Sequence, residues 1–320
     1  MSSQSAEEIS PANISFVSVG VADMNVVRRL WVNELGLDIL DRRYGADKEL
    51  ARLWNIPAEQ IVEQLLLGTP GASSGRLHFV QFREPAAAVR SGAATTDLGA
   101  KNLDVNCTNM PLLVERLTAA GYSFRSAISE YEIDNITARE VQMPVHDDLN
   151  LVLIEVLGDG FDAEYTATGF AALTSFVVIV PDVEREENFY QQLFGMQKIL
   201  THKLSGPEIE VAAGLPAGTV LDLHLLGGPD NIFGRMELIE YVGVAGDNRF
   251  VRAVPPATGI LHCGFLVESL DEFVAQAGRH NIQLEEPLIV DVIFGRGKLL
   301  RLGSPAGLSL EILEPASGKI

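Results

Sequence analysis

DMNVVRRLWVNELG, residues 23–36, returns as DVEREENFYQQLFG, residues 182–195, and the correspondence runs without a gap from Asp23–Phe82 to Asp182–Tyr241. The offset is 182 − 23 = 159 positions, about half of the 320-residue chain. Trp31 and Gly36 answer to Tyr190 and Gly195, Ile56-Pro57-Ala58 to Leu215-Pro216-Ala217, and Gly75-Arg76 to Gly234-Arg235. Turn residues fix backbone angles and apolar residues fix burial, so agreement in both argues for two copies of one fold. Positions where the copies differ in chemistry are where a duplicated scaffold divides its labour.

Outward from that stretch, each copy divides again. The valine-rich run Ile14–Val21 reads as a strand, and Asp23 or Asn25 caps a helix whose apolar residues recur at helical spacing until Gly36. Short apolar strands follow, punctuated by glycine and proline, giving a βαβββ unit. A second unit spans Leu98–Leu157, a third Ala171–Val242 and a fourth Gly259–Glu314; units two and four align at 262 − 102 = 160. One such unit leaves a sheet face bare, so an α+β fold is expected, with four βαβββ modules paired into two curved eight-stranded sheets, helices outside. Consecutive units are expected to pair. That gives a flexible N-terminus over residues 1–13, an N-terminal domain over 14–157, the small, polar linker Gly158–Gly169, and a C-terminal domain over 170–315.

Composition narrows the class. Hydrophobic residues make up 47% of the chain, enough for two cores. Lysine and arginine number 24 against 43 aspartates and glutamates, net −19, which repels nucleic acid and anionic membranes. Cys107 and Cys263 lie in apolar runs and read as buried thiols. The opening MSSQSAEEISPAN has neither the basic start nor the apolar stretch of an export signal, and no apolar run reaches membrane-spanning length, so a cytoplasmic location is expected. The expected partner is a small-molecule substrate, with a homodimer left open. No nucleotide-binding glycine fingerprint occurs.

The openings SFVVIVPDVEREENFYQQLFGM from Ser175 and HCGFLVESLDEF from His262, with the closing strand SPAGLSLEIL from Ser304, resemble the vicinal oxygen chelate superfamily. That group includes glyoxalase I, methylmalonyl-CoA epimerase, extradiol dioxygenases and bleomycin-binding proteins. The resemblance implies a divalent metal held in a cleft by an early first-strand residue and a last-strand residue of each paired unit. The first-strand positions are Phe16, Asn102, Ser175 and His262; the last-strand positions are Gln81, Glu155, Glu240 and Glu311. The N-terminal set suits a cation poorly, so the expected metal centre is His262, Glu311, Glu240 and Ser175 in the C-terminal domain. Iron, manganese, zinc and nickel all suit such ligands. Glu237, three residues before Glu240, points to the opposite face of its strand.

The implied activity is lyase or isomerase chemistry through a metal-stabilised enolate, with Glu240 or Glu311 as base. His224, which shares a face with Asp222, and His202 are further acid–base candidates, each with a structural alternative as a hydrogen-bonded strand residue. Arg296 and Arg301 either steer an anion or line an exposed hairpin. Two other chemistries remain open. An extradiol dioxygenase shares the two-domain plan, but Ser175 and Arg301 depart from that group's ligand and tyrosine positions. A metal-free binding protein, like the drug-sequestering members, accommodates Phe16, Asn102 and Ser175.

Overall fold

The computed structural model describes residues 12–69, 71–133, 136–158, 164–207, 210 and 214–316. Strands β1 (Phe16–Val21), β2 (Asp38–Tyr44), β3 (Ile61–Gly68) and β4 (Arg76–Phe82) form the first unit. Its helix α1 (Met24–Val27) continues as a π-helical Arg28–Glu34, and α2 (Lys48–Trp54) follows β2. The second unit is β5 (Gly99–Cys107), α3 (Met110–Ala119), β6 (Ser129–Ile133), β7 (Ile136–Pro144) and β8 (Asn150–Leu157). The third is β9 (Phe170–Ile179), α4 (Val183–Phe194), β10 (Gln197–Ser205), β11 (Val220–Gly227) and β12 (Arg235–Val242). The fourth is β13 (Gly259–Leu266), α5 (Leu270–Arg279), β14 (Leu288–Val292), β15 (Gly295–Gly303) and β16 (Ser309–Pro315). The four βαβββ modules and the two eight-stranded sheets are as expected.

The pairing of the modules is not. One sheet runs β14-β15-β16-β13-β1-β4-β3-β2 and the other β10-β11-β12-β9-β5-β8-β7-β6, so unit one joins unit four and unit two joins unit three. The expected division into consecutive 14–157 and 170–315 domains is therefore corrected: each half of the chain contributes one unit to each sheet. Two crossing connections, residues 83–98 and 243–258, make this possible by running side by side. Ala86 N donates to Pro256 O at 2.9 Å and Arg249 N to Leu98 O at 2.9 Å. The buried Arg249 guanidinium, 2.6 Å from Asp97, ties the two loops together.

The linker and N-terminus are also less free than expected. Thr166 Oγ1 donates to Leu35 O at 2.8 Å, and Asn13 Nδ2 donates to Phe233 O at 2.6 Å; residues 1–11 and 159–163 lie outside the described set. Near Asn13 the repeat shows its symmetry. Gly75 N donates to Ile14 O at 2.9 Å and Gly234 N to Leu173 O at 2.8 Å, so equivalent groups bond equivalently. Both glycines have positive φ, and a Cβ on either would fall within 2.5 Å of a carbonyl oxygen, which explains why both copies carry glycine here.

The main core lies on the helix-bearing faces of both sheets, where Trp31, Phe79, Phe176, Tyr190, Phe194 and Phe265 are buried together. Both cysteines are free and buried. Among the described residues no helix is long and apolar enough to cross a membrane.

Candidate functional site

Each sheet has a concave face. On the first sheet, the expected ligands His262 and Glu311 do meet, with Nε2 to Oε2 at 3.3 Å and almost no solvent exposure on either. Trp54 at the end of α2 closes over them, donating Nε1 to Glu311 Oε1 at 2.9 Å. Burial alone would raise the Glu311 carboxyl, but the His262 charge, the Trp54 hydrogen bond and the Arg301 charge outweigh it and hold the group below its usual value. His78 completes the polar string: Ser18 Oγ lies 3.0 Å from Nδ1 and Gln64 Oε1 3.1 Å from Nε2. Burial pushes its pKa down to about 3. Around the string Phe16 stacks on Phe294 at 3.9 Å, and Leu261, Val290, Leu299 and Phe82 pack into one apolar cluster. Gly264 has no room for a side chain, because a Cβ there would strike the Phe16 ring at 2.0 Å. This concavity is a core.

The other expected ligands lie in the other sheet. Ser175 donates its hydroxyl to Asp104 Oδ2 at 2.8 Å. Glu240 is on the helix-bearing face, accepting a hydrogen bond from Val183 N at the first residue of α4 at 3.0 Å. His224 is on that face as well, its Nδ1 against Glu187 of α4 and its Nε2 3.3 Å from Asp222. The expected convergence of His262, Glu311, Glu240 and Ser175 therefore does not occur, and Glu240, Glu311 and His224 do not share a site. Among the described residues no three His, Cys, Asp or Glu side chains group so as to hold a metal ion. The donor set does not fit the implied divalent cation. His202 pairs with Leu223 on β11, His146 meets Trp31 Nε1 at 3.1 Å, and Arg301 donates to Leu53 O at 3.1 Å, anchoring α2. Arg296 is exposed.

The recurring last-strand acceptor, a carboxylate in three units and the Gln81 amide in the first, has another purpose. Gln81 accepts from Met24 N at 3.3 Å, Glu155 from Met110 N at 3.2 Å, Glu240 from Val183 N at 3.0 Å and Glu314 from Leu270 N at 2.7 Å. In all four units an acceptor on the last strand takes the first free N–H of the helix, where the backbone leaves donors unpaired and the helix dipole favours negative charge. The fourth member is Glu314, at 314 − 155 = 159, rather than Glu311.

Strand register identifies the residues that face the concavities. Ser175 pairs with Arg235 and Val177 with Glu237, as Phe16 pairs with Arg76 and Ser18 with His78; on β13, Gly264 pairs with Glu311. Glu237 is thus the counterpart of Glu311 and His78 across the repeat. In the second sheet the cleft-facing set is Lys101, Asp104, Tyr131, Glu140, Glu237 and Tyr241. Their counterparts in the first sheet, by the same register, are Leu261, Gly264, Val290, Leu299, His78 and Phe82. Mostly apolar packing on one side is answered by ionisable side chains on the other.

That ionisable set is perturbed throughout. Desolvation and the neighbouring Glu140 raise Glu237 to about 7, with Lys101 opposing. Burial and the Glu237 charge push Asp104 well above the carboxylate range, and burial raises Glu140. Desolvation and Arg90 bring Lys101 down to about 8. Asp104 Oδ1 is buried without a hydrogen-bond partner, whereas Glu140, Glu237 and Lys101 are only half-buried. Groups that are desolvated yet still reach solvent lie on the floor of a concave surface. Leu98, Leu204, Leu221, Leu223 and Ile239 form its apolar wall. Glu237 was legible in the sequence only as the residue opposite Glu240; Lys101 and Tyr131 carried no motif.

No protein-family model and no curated protein matches the chain. Solved structures do. Glyoxalase I from Zea mays is similar with a TM-score of 0.65 and 14% identity, over 94% of this chain and 92% of that one. A single-site mutant of the same maize enzyme gives a TM-score of 0.66 at the same identity and coverage. A candidate dioxygenase from Bacillus subtilis gives a TM-score of 0.58 at 11% identity, over 95% of this chain and 86% of that one. At such identities the likeness shows the fold alone: the chain has a duplicated glyoxalase-like architecture.

Proposed function

We propose that the protein is an enzyme that moves protons on a small organic substrate bound against the concave face of the second sheet, in lyase or isomerase chemistry. The observation that carries this reading is the exchange of the packed set Leu261, Gly264, Val290, Leu299 and Phe82 for Lys101, Asp104, Tyr131, Glu140 and Tyr241, with Glu237 among them. A carboxyl near 7 transfers protons in either direction at neutral pH, so Glu237 is the leading acid–base group. Desolvation and then like-charge repulsion from Glu140 favour its protonated form, and Lys101 stabilises the anion once the proton has gone. The apolar wall holds the carbon skeleton and excludes water. The resemblance implied a metal-stabilised enolate or, for a dioxygenase, oxygen activation at iron. Among the described residues no three His, Cys, Asp or Glu side chains group so as to hold such an ion.

Nuclear magnetic resonance in deuterium oxide tests the reading with a panel of neutral small 2-hydroxyketones and aldehydes. The protein is expected to speed exchange of carbon-bound hydrogen next to the carbonyl, with a pH profile set by a group near 7. Glu237→Gln is expected to lower that rate by about a hundredfold or more, the usual weight of a general acid–base group. Wild-type protein no faster than buffer for every compound overturns the enzyme. Sequestration then stands if the same compounds still shift the Tyr131 and Tyr241 resonances.

A further inference from the structure

We propose that Lys101 is a nucleophile that forms an imine with an aldehyde or ketone in the second concavity. This deepens the reading above and rests on it. The first observation is backbone geometry. β5 pairs with β9 as Ala100 to Val178 and Asn102 to Val177, so Lys101 is the extra residue of a β-bulge. A bulge turns a side chain away from the face that strict alternation would give it. Alternation would put Lys101 opposite Asn102; the bulge lets it reach Tyr241, to whose Oη its Nζ donates at 2.8 Å.

The second observation is the repeat. β1 pairs with β13 as Ser18 to His262 and Val19 to Ile260, so Leu261 is the extra residue of the matching bulge. Leu261 and Phe82 lie in one buried apolar cluster, where their counterparts Lys101 and Tyr241 hydrogen-bond, and 241 − 82 = 159. Equivalent scaffold positions thus carry an apolar Leu and Phe in one sheet and a Lys/Tyr hydrogen bond in the other. The fold does not require the amine, since it forms with leucine in its place.

The third observation is the amine's company. No carboxylate among the described residues lies within ion-pair distance of Nζ, although Glu237, Glu140 and Asp104 act on it from further away. A partly desolvated lysine without an ion pair has its charged form destabilised and sheds its proton more readily. With its pKa brought down to about 8, a minority of the amine is neutral and nucleophilic near physiological pH, where an ordinary lysine has almost none. The carboxyls supply the acid that carbinolamine breakdown needs. Nitrogen adds to the carbonyl carbon as the C–O π bond opens, and the oxygen takes up a proton from a carboxyl such as Glu237. The C–O bond then breaks as C=N forms. The carbonyl oxygen leaves with two protons, matching the two lost from the amine, as one water, and no oxidant or reductant is consumed.

Two probes test this on the intact wild-type chain at neutral pH: glycolaldehyde with cyanoborohydride, and acetylacetone, whose lysine adduct is a conjugated enaminone. Peptide mapping by mass spectrometry is expected to find the reduced adduct on Lys101 at least tenfold above Lys48, Lys198, Lys203 and Lys298. The enaminone absorption is expected to vanish in Lys101→Arg, and in Lys101→Met, the side chain nearest the Leu261 arrangement. Labelling spread over the surface lysines with none enriched at Lys101 overturns the imine. If hydrogen exchange persists in that case, the acid–base reading stands without it; if exchange is absent too, both fall.

Discussion

At the scale of single residues, the decisive contrast is between two buried charge groups with opposite consequences. His262 and Glu311 are paired, sealed by Trp54 and removed from solvent, so they contribute to the stability of the first concavity. Removing one partner of such a pair leaves the other buried and uncompensated, at about 3–5 kcal/mol. His262→Ala is therefore expected to lower the urea midpoint strongly while hydrogen exchange at the second concavity is retained; loss of exchange at full stability would contradict the assignment. The pH sign follows from Glu311. Its folded pKa is depressed, so its contribution is complete above the usual carboxylate value and is lost as pH falls through the folded one. Glu237 has the opposite sign, since its folded pKa is raised, and it interacts with Lys101. Each stabilises the charged form of the other, so Lys101→Met is expected to raise the Glu237 titration further above about 7, read by carbon resonances of the carboxyl. The sequence did single out His262 and Glu311 together, as expected metal ligands. It could not show that α2 brings Trp54 over them, because that contact spans most of the chain.

At the scale of elements, sequence periodicity located the strands and helices well and misread one recurrent acid. The offset of 159 links Gln81 to Glu240 and Glu155 to Glu314, and the structure shows these four residues holding helix N-termini. Glu311, three residues earlier than Glu314, lies on the other face, which a reading of strand composition alone does not separate. Glu240→Ala is accordingly expected to cost about 1 kcal/mol through the start of α4, with no effect on hydrogen exchange. A second contact of α4 carries a sharper pH dependence. Glu186 is buried, accepts from Ser304 Oγ at 3.0 Å and from Ala306 N, and so fastens α4 to the β15–β16 turn. Desolvation raises it to about 7 despite those hydrogen bonds. The folded state then holds a proton that the unfolded chain has released, so stability falls between the ordinary glutamate value and about 7. Glu186→Gln is expected to leave stability, read from the denaturation midpoint, nearly unchanged at pH 5 and to increase it at pH 8 by at most about 3 kcal/mol. A midpoint that falls equally at both pH values would show that the carboxylate's hydrogen bonds outweigh its desolvation.

At the scale of the whole molecule, duplication was legible and connectivity was not. Turn glycines, helix caps and apolar strands repeat locally, so four units can be counted from sequence. Which units pair is decided by contacts among the central strands β1, β5, β9 and β13, which strand pattern alone does not assign to one another, and by two crossing connections whose contacts are between distant residues. The default that neighbours in sequence are neighbours in space fails here, and with it the grouping of Ser175 and Glu240 with His262 and Glu311. The interleaved arrangement has a consequence that consecutive domains would not share. A fragment ending near residue 157 keeps β1 and β5 but lacks β13 and β9, so each unit is left with an open central edge and a bare concave face. Neither residues 12–157 nor residues 164–316 alone is expected to give a cooperative unfolding transition as a monomer. Mixed from denaturant, the two are expected to form a one-to-one complex with the circular dichroism of the intact chain, because each supplies the edge strand the other lacks. Cooperative unfolding of either fragment as a monomer, at a midpoint near that of the full chain, would mean that consecutive units can close on each other and that the observed pairing is not what stabilises the fold.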